Sequence, residues 1–156
     1  MPEKKTKSDN RRTREQDDLL KIIKGEHEEV KQMFRDFEKT PEEPIARRIL
    51  TALGEHVRKE EEIVYPPLLE IDEEFFHEAD QEHHVVHLLL AELEKFSDDP
   101  SYEAKMNVLR ENVEHHIKEE ETTGFRLIRE IPAEERSQLA VQWQGEKMAA
   151  GKRRAA

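Results

Sequence analysis

Apolar residues in this chain return every three or four positions, and nowhere do they alternate with a period of two. Leu20, Ile23, Val30, Phe34 and Phe37 form one stripe, which predicts an amphipathic helix from Asp17 onward. "KTPEEP" (39–44) interrupts it, with Pro41 and Pro44 near the start of the next helix. Ile45, Ile49, Leu53, Val57 and Val64 make a second stripe, which meets "YPP" at 65–67. A proline pair is expected to end or kink a helix there. A third helix is expected over roughly 73–96 and a fourth over roughly 101–130, separated by the cap and turn residues of "SDDPS" (97–101). "IPAEER" (131–136) restarts a fifth. The expected fold is all-α, an antiparallel up-down four-helix bundle with a short fifth C-terminal helix.

The second pair of long helices repeats the first. From His27, apolar residues follow at Val30, Met33, Phe34 and Phe37; from His83 they follow at the same offsets, as Val86, Leu89, Leu90 and Leu93. Ile49, Leu53 and Val57 surround His56 as Leu109, Val113 and Ile117 surround His116. This register selects His83 over His84 and His116 over His115. The four selected histidines also lie at similar distances from the turns that join their helices. In antiparallel helices with a rise of about 1.5 Å per residue, equal distance from a shared turn means equal height. One layer of the bundle therefore receives an inward histidine from each helix.

His56–Glu60, His116–Glu120 and His83–His87 are i,i+4 pairs, so each pair shares a helix face. His87 has Lys31 as its counterpart in the first helix, so the repeat does not require it. His84, His115 and His77 read as supporting or surface groups, and Glu61, Glu62, Glu119 and Glu121 as solvated faces. Trp143 reads as the anchor of the fifth helix. Buried unpaired carboxylates and imidazoles cost on the order of several kcal/mol each or change protonation state. A bound cation removes that cost. Seven candidate ligands, His27, His56, Glu60, His83, His87, His116 and Glu120, exceed the need of one ion, and two ions bridged by the glutamates would use them all. Imidazole suits Fe, Zn, Cu or Ni, and bridging carboxylates in a bundle point towards iron or manganese.

Composition narrows the alternatives. There is no cysteine, which excludes thiolate ligands, disulfides and thiol catalysis. The net charge is −11, yet residues 1–16 and 145–156 each carry +3, leaving −17 on 17–144. A body so acidic repels nucleic acid and anionic membrane. The two ends read as basic, disordered tails flanking one domain over 17–144. No apolar run reaches the ~18 residues of a membrane span and no secretory signal is evident, so the expected location is the cytoplasm. A ferritin-like site needs two ExxH motifs, whereas only "EFFH" (74–77) occurs.

"GEHEEV" with His27, "HVRKEEEIVYP" with His56 and Glu60, "EHHVVH" with His83 and His87, and "HIKEEE" with His116 and Glu120 together resemble a hemerythrin-like (HHE cation-binding) domain over roughly 18–130. The resemblance implies a non-heme di-iron centre with two Fe ions. It places His83, His87 and His116 on one iron, His27 and His56 on the other, with Glu60 and Glu120 bridging. The iron with two histidines would keep an open position. The fourth helix departs from oxygen-carrying hemerythrins, which place an aspartate one residue beyond Glu120, and "ETTGF" lacks the proline pair of "YPP". The expected function is binding of a small ligand, O2 or NO, for oxygen or NO binding, sensing or iron handling. The alternative is a peroxide-decomposing (catalase- or peroxidase-like) or NO-reducing enzyme at the same centre. A sensor would need a protein partner. Val30, Val57, Val86 and Ile117, one aliphatic residue per helix beside a ligand, are expected to wall the site.

Overall fold

The computed structural model describes the backbone of residues 7–155 and the side chains of residues 19–153. Among these residues every regular element is helical: α1 (Lys7–Lys39), α2 (Glu43–Lys59), α3 (Tyr65–Ile71), α4 (Glu73–Leu93), α5 (Pro100–Glu119), α6 (Phe125–Ile128) and α7 (Ala133–Ala155). One π-helical turn, Glu60–Val64, joins α2 to α3, and another, Glu120–Gly124, joins α5 to α6. The bundle therefore has four rods, α1, α2–α3, α4 and α5–α6, with α7 laid against α1. α1 packs on α2 and α5, and α4 packs on the same two, which closes the ring.

Local chemistry explains the boundaries. Pro44 sits in the first turn of α2 and Pro100 in the first turn of α5, where a missing N–H costs nothing. The Asp72 side chain accepts from Phe75 N at 2.9 Å and that of Asp99 from Ser101 N at 2.8 Å, capping α4 and α5. The proline pair, expected to end or kink a helix, does not end the second rod. Pro66 and Pro67 open α3 directly after the π-turn, where the α-helical hydrogen-bond ladder is already interrupted. The fourth rod makes the same turn without proline.

The structure differs from the expectations at both ends. The fifth helix is not short but 23 residues long. It continues through the expected C-terminal tail to Ala155, with Ala150 buried. Of the expected N-terminal tail 1–16, residues 1–6 lie outside the described residues, and from Lys7 the chain is the start of α1. Leu19 is fully buried and Leu20 only half-buried, so Leu19 rather than Leu20 opens the first stripe, whose other expected members Ile23, Val30, Phe34 and Phe37 are all buried. No described helix is long and apolar enough to cross a membrane.

The core is split. One apolar cluster, with Leu19, Ile23, Leu68, Ile128 and Trp143, fills the end near α3, α6 and α7. A second, with Phe34, Ile49, Leu53, Leu93, Met106 and Leu109, fills the other end. Between them lies a buried layer of histidine and glutamate.

Candidate metal centre

The layer receives His27 from α1, His56 from α2, His83 from α4 and His116 from α5, all buried. Glu60 and Glu120, also buried, open the two π-turns. Such turns place an extra residue per turn and often mark functional positions. Here each lets two successive glutamates reach the interior from one rod. Glu60 Oε1 is 2.8 Å from His56 Nε2 and 3.8 Å from His27 Nε2, while Oε2 is 3.0 Å from His83 Nε2 and 3.8 Å from His116 Nε2. Glu120 Oε2 is 3.2 Å from His27 Nε2 and 3.8 Å from His116 Nε2. Two groups of potential ligand atoms result, His27–His56–Glu60–Glu120 and Glu60–His83–His116, each with atoms within 4.8 Å of one another.

These residues fit a cation. His27 Nε2, His56 Nε2, both Glu60 oxygens and both Glu120 oxygens are buried without a hydrogen-bond partner. His56 Nε2 and Glu60 Oε1 are close enough for an ion pair but not aligned as a hydrogen bond. Buried polar atoms are ordinarily satisfied, and six orphans converging on one layer are the donor set of a cation site.

Behind each imidazole stands a further carboxylate. Nδ1 of His27 meets Glu121 at 3.0 Å, that of His56 meets Glu26 at 3.1 Å, that of His83 meets Glu61 at 3.1 Å, and that of His116 meets Glu82 at 3.2 Å. An ionised carboxylate only accepts, so each Nδ1–H donates and each Nε2 is turned into the layer, where its lone pair is free for a cation once its proton is lost. The sequence repeat is obeyed throughout: Glu26 matches Glu82, and Glu61 matches Glu121. Reading Glu61 and Glu121 as solvated was wrong, because the π-turns rotate them towards the rings. Glu62 and Glu119 are exposed as expected.

Without a metal the layer holds protons. Burial disfavours charge on His27, but Glu120 and Glu60 outweigh it and raise its pKa to about 10. Burial is likewise overcome at His56, by Glu60 and Glu26, to about 9, and at His116, by Glu60 and Glu82, to about 10. His83 is raised in the same way by Glu60 and Glu61. Glu60, despite burial, is held well below the ordinary carboxylate range by His56, His116 and His27.

His87 is not brought into the layer. Its side chain is 45% exposed and its Nε2 lies 2.7 Å from Glu61 Oε1. Glu61 ties it outside, while the buried Tyr65 hydroxyl takes the space beside His83 Nε2, at 2.9 Å, and His116 Nε2, at 3.5 Å. Burial and the nearby Glu60 and Glu120 keep that phenol protonated by raising its pKa. His84 and His77 are exposed, and His115 reaches only the outer oxygen of Glu82. Sequence reasoning missed Tyr65, which was read only as part of a helix end. It also missed Glu26, Lys59 and Glu82. Position within the repeat could have flagged Glu26 and Glu82, since each immediately precedes an inward histidine.

Comparison with known families matches residues 18–128 to the hemerythrin HHE cation binding domain. No curated protein and no solved structure is matched. The matched span holds every layer residue and stops before α7.

Proposed function

The chain belongs to the hemerythrin HHE cation-binding family, and we propose that its His/Glu layer holds two iron ions and binds a small ligand, O2 or NO, at them. His27 and His56 would hold one ion, His83 and His116 the other, and Glu60 and Glu120 would span both. The two oxygens of Glu60, each facing a different histidine pair, support two ions rather than one. Carboxylate-linked imidazole sites inside a bundle favour iron or manganese. When bound, iron supplies a reducible Lewis acid with room for an exogenous ligand.

The observation that carries the small-ligand reading is a small cavity beside His27, His56 and His116. Its volume is only about 10 Å³, near the ~10–15 Å³ that one water molecule needs. Its walls are Val30, Leu53, Val57, Val86, Val113 and Ile117. They include all four aliphatic residues expected from the sequence. A diatomic molecule fits such a space, and its dry wall offers no proton to a bound ligand. The test is optical. Reduced, iron-loaded protein mixed with O2 or NO should develop a charge-transfer band that disappears when the gas is removed, over repeated cycles. Irreversible oxidation in the first cycle would end the carrier or sensor reading.

A second reading has its own support. The Tyr65 hydroxyl places one proton donor inside the otherwise dry layer. Peroxide decomposition or NO reduction needs such a donor, and sustained H2O2 consumption over many turnovers would favour it.

A further inference from the structure

The four carboxylates behind the histidines are not equivalent. Glu61 and Glu82, which serve His83 and His116, have side chains 30% and 29% exposed, against 11% for Glu26 behind His56. Glu26 is also held by two further groups, Lys59 of α2 and, from outside the four rods, Trp143 of α7. Its Oε2 accepts from Trp143 Nε1 at 2.6 Å, and Lys59 Nζ donates to both oxygens at 2.8 and 3.0 Å. Lys59 lies 4.7 Å from the centre of the Trp143 ring, which is fully buried and edge-on to His56 at 5.5 Å. The repeat has no equivalent of this arrangement. The counterpart of Lys59 is the exposed Glu119, and α7 occurs once.

We propose that α7 acts on the metal centre through Trp143, a positioning residue that fixes Glu26 and so the ring of His56, and that the His27/His56 half consequently releases its ion more slowly than the His83/His116 half. The proposal rests on the two-ion reading above. The physical reason is preorganisation. An imidazole whose Nδ1–H is held by an immobile carboxylate keeps its Nε2 lone pair aimed at the ion, and loss of such support typically costs ~10–100-fold in affinity. His83 and His116 rely on partly solvated carboxylates that water can replace. Trp143 lies outside the segment matched to the family, so this hold on the site is supplied by an element added to the four-rod bundle.

The test is iron release. Protein loaded with Fe2+ without oxygen is mixed with excess ferrozine, and the coloured chelate is followed. Two phases of equal amplitude are expected. Trp143→Phe, which keeps a ring but loses the N–H, should speed the slow phase roughly 10–100-fold and leave the fast phase unchanged. Glu26→Gln, a substitution outside α7, should do the same, which covers the possibility that the Trp143 variant misfolds. In zinc-loaded protein, the His56 Nδ1–H resonance should exchange faster with solvent in both variants, whereas a merely structural role for Trp143 would not single out that proton. Two irons per chain with an unaltered slow phase, or both phases accelerated alike, would overturn the proposal alone. Iron content near one per chain would remove the two-ion reading and the proposal with it.

Discussion

Tyr65 and Phe125 occupy one position in the two halves of the molecule. Each follows its buried glutamate by five residues across a π-turn, and each stacks on a histidine, His83 at 4.8 Å and His27 at 6.4 Å between ring centroids. At this position the internal symmetry is broken by a hydroxyl, which reaches the His83/His116 side and has no partner on the other.

Tyr65→Phe therefore makes the two halves alike at this position. Iron content and reversible ligand binding should persist, since the ring and its packing remain. Any residual H2O2 consumption should fall by about 100-fold, the lower range for removal of a positioned proton donor. Peroxide consumption at the wild-type rate in this variant would dismiss the hydroxyl as a proton source.

Neighbouring histidines should separate sharply. His116→Ala and His83→Ala should strip metal, because a ligand atom is lost, whereas His115→Ala and His84→Ala should retain it. His87→Ala should also retain it, with affinity reduced at most about tenfold through the loosened Glu61. Metal titration of the five variants decides this, and equal losses within either adjacent pair would contradict the assigned register.

Much of this was legible in the chain. The i,i+4 pairs and the equal distances from turns place His27, His56, Glu60, His83, His116 and Glu120 together, because helix geometry fixes both face and height. His87 obeys the same periodicity and yet lies outside. Periodicity cannot report that a π-turn rotates Glu61 into its path or that Tyr65 already fills the space. Glu26 and Lys59 drew no role from the sequence, and both are buried where Trp143 of α7 packs against them. The helical continuation to Ala155 was missed because its charged, glycine-containing sequence resembles a solvated tail.

The metal-free protein should be sensitive to alkali. His27, His56 and His116 have folded-state pKa values of about 10, 9 and 10, above the ordinary 6.5. Their contribution to stability is fully present below about 6.5 and is lost as pH rises through about 9–10. Glu26, lowered to about 2 from 4.5 by His56, Lys59 and Trp143 despite its burial, contributes above 4.5 and loses that contribution towards pH 2. The melting temperature of metal-free protein should thus fall between pH 7 and 10, while metal-loaded protein holds. Metal binding at pH 7 should release protons, measurable by calorimetry in buffers of different ionisation enthalpy. Proton-independent binding would contradict the protonated layer.

Gly124 should resist substitution. A Cβ there would lie 3.0 Å from Glu120 Cγ and 3.1 Å from Phe75 Cζ. Gly124→Val should destabilise by about 1–3 kcal/mol through overpacking and weaken metal binding by displacing Glu120. Gly145→Ala, with nothing within 4 Å of the added Cβ, should be neutral or stabilising by up to about 1 kcal/mol through helix propensity. Thermal melts of both variants supply the comparison.

The central claim is that one buried layer holds two ions bridged by Glu60 and Glu120. Elemental analysis of protein reconstituted with Fe2+ under anaerobic conditions and freed of excess metal tests it most directly. The expected result is close to two irons per chain in wild type, falling to one or fewer in Glu60→Ala. A value near one in wild type, unaffected by loss of either His27 or His83, would contradict it.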